Sequence, residues 1–176
     1  MKKIILLFAL AGIMFACTNP AGNSMSKKTD ENKALLKKFY NEVFNVHDVS
    51  KIDSFITPGF VDHNPDPGHS GKGPDDVKAM FTEMISSIPD VHVSIDFMVA
   101  EGDTVVSYVT MSGTNTGPMG NMPATNKSFK INGIDIVVIK DGKATERWGV
   151  FDNLSMMMQM GMMGGEAPGG PSDTGE

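Results

Sequence analysis

The stretch from residue 129 to residue 152 carries most of the side chains that could take part in chemistry. It contains two extended runs separated by Asp141 and Gly142, and an Asp-Gly pair between such runs is a strong β-hairpin signal, because glycine accepts the positive φ of the turn. Asp135 lies among Ile and Val residues of the first run. If its carboxylate points into an apolar cavity, the loss of solvation makes it a better base, so Asp135 is a candidate catalytic residue.

A structural role for Asp135 stays open. A three-residue turn of Lys140, Asp141 and Gly142 would place Asp135 opposite Arg147, where the two side chains would form an ion pair. Alternation along the second run divides its side chains between two faces of the sheet. One face carries Thr145, Arg147, Gly149 and Phe151, and the other carries Glu146, Trp148 and Val150. We expect the face of Asp135 and Arg147 to look inward and an outward Trp148 to mark a dimer surface.

His63 is the second candidate catalytic or substrate-binding residue, because histidine changes its charge near neutral pH and this one precedes a loop rich in proline and glycine. The alternative is that His63 only fixes the loop through a hydrogen bond. If the segment is extended, Asp62 and Asn64 point to the opposite face and form no obvious triad with His63. Tyr40 could offer its hydroxyl to the same cavity, although a tyrosine at a helical core position more often serves packing.

The sequence predicts no metal site and no cofactor. The four histidines have no ligand spacing. The chain has 15 methionines, several of them at positions 156–163. Thioethers are ligands for Cu(I), but methionine also fills irregular apolar cores, and the packing interpretation is simpler.

The hydrophobic pattern changes from helical to alternating along the chain, which predicts an α+β fold with a curved antiparallel sheet wrapped around N-terminal helices. The expected helices cover residues 29–44, 49–56, 73–85 and 154–160, and the expected strands cover 91–100, 104–113, 132–139 and 144–151. Asp152 is expected to cap the last helix.

The N-terminal residues predict export. Residues 1–16 have the charge and the short apolar run of a signal peptide, and Cys17 then resembles the lipidated first residue of a bacterial lipoprotein of the cell envelope. Residues 17–28 are expected to form a linker, 29–161 one domain and 162–176 a disordered tail. The net charge of -6 and the lack of a basic stripe argue against nucleic-acid binding and against a basic membrane patch, so the lipid is the expected membrane contact.

The order of several segments resembles the SnoaL-like polyketide cyclase (ester cyclase) family of the nuclear transport factor 2-like superfamily. These segments are ALLKKFYNEVFN, FVDHNPDPG, SIPDVHV, AEGDTVV, SGTNTG, INGIDIVVIKDGKATERW and DNLSMMMQMG. The resemblance implies a cone-shaped α+β fold, a deep apolar pocket and a homodimer formed through the outer face of the sheet. The expected pocket residues are Phe39, Tyr40, Phe44, Phe81, Val137, Arg147 and Phe151.

Cyclases of this family close a ring with an acid/base pair and no cofactor. The resemblance places the family's histidine at Asp135 and its aspartate at Gly149, so cyclase activity does not carry over. Two functions therefore stay open. One is an exported lipoprotein that binds a small apolar or carbonyl-containing molecule; the other is a cofactor-independent cyclase or isomerase that acts on a small carbonyl compound with Asp135 or His63 as acid or base.

Overall fold

The computed structural model describes residues 20–163, and their side chains from residue 24 onward. The predicted signal peptide, Cys17 and positions 164–176 of the predicted tail lie outside this range. No helix within the described range is long and apolar enough to cross a membrane.

The helices lie near the predicted positions, with one exception at the N-terminus. They are α1 (Pro20–Phe39), which continues as a π-helical turn (Tyr40–Phe44), a 3-10 turn (Val49–Lys51) followed by α2 (Ile52–Phe55), α3 (Gly73–Ser87) and α4 (Asn153–Gln159). Because α1 begins at Pro20, residues 20–28 of the expected linker are helical. The Asp152 carboxylate accepts a hydrogen bond from the Ser155 backbone N–H at 3.0 Å, which confirms the predicted cap of α4.

The strands form one five-stranded curved sheet that does not close into a barrel, and the α+β class is confirmed. The strands are β1 (Ile56–Asp62), β2 (His92–Glu101), β3 (Thr104–Thr114), β4 (Ser128–Lys140) and β5 (Lys143–Phe151), in the order β1-β5-β4-β3-β2. The prediction of an entirely antiparallel sheet is wrong, because β1 pairs in parallel with β5. The sequence did not predict β1, because Pro58 and Gly59 disfavour a strand. An edge strand with an irregular register tolerates both residues.

The β4–β5 turn has two residues and not the three that were predicted. Lys140 pairs directly with Lys143, and Asp141 and Gly142 have φ values of 51° and 74°. Positive φ at both positions is the geometry of a type I′ turn, which explains the Asp-Gly pair.

A bulge at Thr145 then sets the register of the hairpin. Ile139 pairs with Ala144, whereas Val138 pairs with Glu146, so Thr145 has no partner opposite it. Without this extra residue, every side chain of β5 beyond the bulge would change face relative to β4. The bulge therefore keeps the predicted inner face of β5 on the same side as the inner face of β4.

The hydrophobic core lies between the helices and the inner face of the sheet. Buried and less buried residues alternate without interruption along β3, and along β4 from Ser128 to Lys140. On the helical side, the core includes Leu36, Val43, Ile52, Val77 and Phe81. The alternation confirms that Asp135 shares its face with Val137 and Ile139, and this face looks towards the helices.

Candidate functional site

A cavity of about 970 Å³ opens between the helices and the inner face of the sheet. Pockets of this size accept a drug-sized molecule and are usually lined by apolar and aromatic side chains with a few polar groups. All the residues expected to line a pocket do line this cavity: Phe39, Tyr40, Phe44, Phe81, Val137, Arg147 and Phe151.

Phenylalanines of the helices form one wall of the cavity. The ring of Phe81 packs edge-to-face against Phe39 at a centroid distance of 5.9 Å and against Phe44 at 5.3 Å. Phe39 also packs edge-to-face against Phe55 at 5.6 Å. Such contacts fix the ring orientations, so this wall presents a defined apolar surface.

Methionines form much of the remaining lining. Met80, Met84, Met111, Met119, Met122, Met156 and Met157 face the cavity. Met160, after α4, is fully buried in the core. Because methionine is flexible and polarisable, this wall can adapt to the shape of a bound molecule. Within residues 20–163, no group of three or more His, Cys, Asp and Glu side chains is arranged to hold a metal ion.

A buried polar cluster interrupts the apolar lining and centres on Asp135. One carboxylate oxygen of Asp135 accepts a hydrogen bond from the Tyr40 hydroxyl at 2.6 Å. The other accepts from Arg147, at 2.8 Å from Nε and 2.7 Å from Nη2. The expected ion pair is therefore present, although Asp135 lies opposite Gly149 in the register and Arg147 reaches it diagonally.

Asp62 completes the cluster and was not predicted as a site residue. Its side chain is buried and accepts a hydrogen bond from Arg147 Nη1 at 2.5 Å. Its second oxygen accepts from the Asn64 backbone N–H at 2.9 Å. The sequence does indicate that Asp62 and His63 lie on opposite faces, because neighbouring residues of an extended segment alternate. It does not indicate which of the two faces inward, since that depends on the parallel pairing of Asp62 with Arg147.

The environment of the cluster fixes the charges of Tyr40 and Arg147. Burial raises the pKa of the Tyr40 hydroxyl well above its usual 10, and the neighbouring negative charge of Asp135 raises it further. Burial alone would lower the pKa of Arg147, but Asp135 and Asp62 outweigh it and raise that pKa. Tyr40 is therefore a neutral hydrogen-bond donor and Arg147 a permanent cation.

Gly149 provides the space that the guanidinium of Arg147 occupies. A Cβ atom at position 149 would lie 2.2 Å from Arg147 Nη2 and 2.9 Å from an Asp135 carboxylate oxygen. Any larger residue would push the guanidinium away from Asp135. The glycine at the position where the resemblance places an aspartate is thus part of the Asp135–Arg147 contact.

The placement of His63 corrects the sequence prediction. Its ring stacks on Trp148 with the centroids 4.2 Å apart and the planes within 5°, and its Nε2 lies 3.0 Å from a Glu146 carboxylate oxygen. All three side chains lie on the outer face of the sheet, because His63 follows the inward Asp62 on an extended strand. His63 does not line the cavity, so its expected role as an acid or base there is wrong.

The cluster holds its two carboxylates in a network of hydrogen bonds. Every carboxylate oxygen of Asp62 and Asp135 accepts at least one hydrogen bond. Each carboxylate oxygen has two lone pairs, so these contacts orient the two carboxylates and still leave acceptor positions on them. The hydroxyl of Ser107, directly opposite Asp135 on β3, is buried and has no hydrogen-bond partner within the described residues.

Comparison with known proteins places the chain in a family. The sequence model of the SnoaL-like polyketide cyclases matches residues 34–160, and the chain belongs to this family. No curated protein matches the sequence at a significant level.

Solved structures share the fold at modest identity. TsrD from Streptomyces laurentii is 28% identical, with 76% of this chain and 97% of that protein covered and a TM-score of 0.68. A candidate polyketide cyclase from Bacillus cereus is 26% identical, with 76% and 82% covered and a TM-score of 0.65. AclR, a candidate hydroxylase from Streptomyces galilaeus, is 21% identical, with 77% and 98% covered and a TM-score of 0.67, and supports the nuclear transport factor 2-like fold alone.

Proposed function

We propose that this protein binds a small, largely apolar or carbonyl-containing molecule in the cavity and does not perform the family's ring closure. The observation that carries the proposal is the Asp62–Arg147–Asp135–Tyr40 cluster, which occupies the acid/base positions with mutually paired groups. The size and lining of the cavity fit a small ligand. Free N–H groups of Arg147 could bind a ligand carbonyl, because a guanidinium has five N–H donors.

The second candidate function is a cofactor-independent cyclase or isomerase that acts on a small carbonyl compound. Family membership favours it, as does the position of Asp135 inside an apolar cavity. In this case Asp135 takes the substrate's proton on a lone pair that neither Tyr40 nor Arg147 uses. Turnover of a small ketone in deuterated water would show exchange of its α-hydrogens in the wild type and none in Asp135→Asn.

A cavity-filling variant tests ligand binding. Met80 lines the cavity from α3, and the neighbouring Ala79 is exposed on the same helix. We expect Met80→Trp to weaken binding of the neutral dye Nile red at least about tenfold, because the indole takes up ligand space. Ala79→Trp adds the same group outside the cavity and is the matched control. Equal dye binding by the two variants and the wild type would contradict a ligand site here.

Export and lipid attachment at Cys17 are a separate part of the proposal. They rest on the apolar run that ends at Ala16 and on the small and polar residues after Cys17. In its bacterial host, the full chain should fractionate with membranes and lose residues 1–16, and Cys17→Ser should release it. Mass spectrometry of the N-terminal peptide checks the lipid. An unmodified Cys17 on the mature protein would refute this assignment.

We also propose a homodimer formed through the outer face of the sheet. Register pairing aligns apolar side chains there in two rows, each running across β2, β3, β4 and β5. One row is Phe97, Tyr108, Ile134 and Val150, and the other is Val99, Val106, Ile136 and Trp148. Phe97, Val99, Ile134 and Val150 are all exposed. In a dimer with a two-fold axis, the same apolar surface of each copy would pack against that of the other. Contiguous apolar surface of this kind is rare on monomers.

The oligomeric state in solution tests this surface. Ile134→Lys puts a charge at the centre of the first row and should convert a dimer to a monomer in analytical ultracentrifugation. Ala79→Lys, on the exposed face of α3, should leave the dimer intact. A wild-type monomer at micromolar concentration would refute the dimer proposal and would leave the proposal of ligand binding unaffected.

A further inference from the structure

The charges that line the cavity are almost all negative. Among the described lining residues, the acidic ones are Asp62, Asp66, Glu83 and Asp135. Arg147 is the one permanent cation in that lining, which contains no lysine. His69 also lines the cavity, but its two ring nitrogens lie 3.6 Å from Asp76 and 3.3 Å from Glu83, so any positive charge on it is shared with two carboxylates.

The inner cluster itself carries an excess of negative charge. Asp62 and Asp135 are both buried, and they share a single guanidinium. The Tyr40 hydroxyl donates a hydrogen bond to Asp135 but brings no positive charge. One of the two buried carboxylates is therefore not neutralised by the protein, and an uncompensated buried charge attracts any cation that can reach it.

The remaining acids lie where a ligand would enter. Asp66 and Glu83 are exposed side chains at the rim, one in the loop after β1 and the other on α3. The potential at the mouth and the potential at the inner cluster thus have the same sign. Walls of low dielectric strengthen such a field within a cleft, which favours a cation and disfavours an anion.

On this basis, and building on the proposed ligand-binding function, we propose that the cavity takes an apolar molecule that carries a cationic amine. Its apolar body lies between the phenylalanine and methionine walls, and its ammonium group binds the carboxylates of Asp62 and Asp135. Ligands that end in a carboxylate or a phosphate are excluded by repulsion.

A matched series of ligands tests the charge preference. Phenylbutylamine, phenylbutanol and phenylbutyrate share one apolar body, and at neutral pH they are cationic, neutral and anionic. Calorimetry on the full chain should give the tightest binding for the amine, by about tenfold over the alcohol, and the weakest binding for the acid. Equal or tighter binding of the alcohol or of the acid would overturn the proposal.

Variants at the rim show whether the cavity charges cause the preference. Asp66→Asn combined with Glu83→Gln should reduce the ratio of amine to alcohol affinity about two- to fivefold, as expected for exposed charges. Asp75→Asn removes a fully exposed acid of α3 outside the cavity and should leave the ratio unchanged. An unchanged ratio in the rim variant, or an equal drop in the control, would overturn the proposal.

Binding of Nile red distinguishes a failure of the cationic preference from a failure of ligand binding itself. If the dye binds and Met80→Trp blocks it, while the amine binds no better than the alcohol, ligand binding stands and only the cationic preference fails. If neither the dye nor any of the three ligands binds, the proposed function fails as well.

Discussion

The two faces of β5 carry similar chemistry in different surroundings. On the inner face, Arg147 is held between Asp62 and Asp135, both almost fully buried. On the outer face, His63 contacts Glu146 and stacks on Trp148, and the His63 and Glu146 side chains are 36% and 38% exposed.

The difference in burial decides which of these clusters matters for stability. Charges taken out of water lose their solvation, so their partners become indispensable, whereas water compensates an exposed pair that loses one member. The inner cluster should therefore resist change and the outer one should tolerate it.

Removal of the central cation should give the largest effect. Arg147→Met keeps the apolar stem but leaves two carboxylates buried and unpaired, which should cost about 3–5 kcal/mol of unfolding free energy. Urea denaturation at neutral pH measures the loss. Lys140→Met, which removes an exposed cation from the end of β4, is the control and should change little. A loss below about 1 kcal/mol for the arginine variant would show that water reaches the carboxylates.

Tyr40→Phe should have the next largest effect, because it removes a buried hydrogen bond to a charged group, at a cost of about 1.5–3 kcal/mol near neutral pH. The same variant predicts a pH dependence. The pKa of Tyr40 is raised in the folded protein, so its stabilising contribution is complete below pH 10 and declines above it, where the unfolded chain loses a proton that the folded chain keeps.

Denaturation at increasing alkaline pH checks this sign. Above pH 10 the wild type should lose about 1.4 kcal/mol per pH unit more than Tyr40→Phe. Tyr108→Phe, on the outer face, should follow the wild type. Parallel pH curves for the wild type and Tyr40→Phe would contradict the raised pKa.

The sequence was sufficient for those parts of the structure that depend on local patterns. The alternation in β4, the position of the hairpin turn at Asp141 and Gly142 and the Asp152 cap are all local, and these predictions are confirmed, although the turn is one residue shorter than predicted. The choice between Asp62 and His63 is not local. It depends on β1 joining β5 in parallel, and the irregular segment around Pro58 concealed that strand from sequence reading.

The register of the β4–β5 hairpin was also not predictable from local sequence patterns. The turn is one residue shorter than expected, and the bulge at Thr145 adds a residue that no sequence pattern predicted. Both differences shift the register in the same direction, so the partner of Asp135 moves by two residues, from Arg147 to Gly149, and the faces stay as predicted. The Asp135–Arg147 contact was therefore anticipated for the wrong geometric reason. The actual geometry also requires the small size of Gly149, a position that the sequence alone marks only as a departure from the family's aspartate.

Gly149→Ala should have an intermediate effect. The added methyl group meets the guanidinium of Arg147, a flexible group that can move, but its movement weakens the contact with Asp135. We expect a loss of about 1–3 kcal/mol in urea denaturation, the usual range for overpacking. Gly59→Ala is the matched control, because a Cβ there meets nothing within 4 Å and β1 is an edge strand. Equal effects at the two glycines would mean that Arg147 does not depend on the space at position 149.

The smallest effect is expected on the outer face, from Glu146→Gln. The amide keeps the shape of the side chain and can still hydrogen-bond to His63, while Trp148 keeps its stacking contact. Because both partners are more than one-third exposed, water replaces what the pair loses, and the cost should stay below about 1 kcal/mol. Added salt should reduce this cost further, since ions screen exposed charges. If Glu146→Gln instead destabilised the protein as much as Arg147→Met, burial would not explain the difference between the two faces, and a contact that covers the outer face, such as a dimer partner, would have to be included.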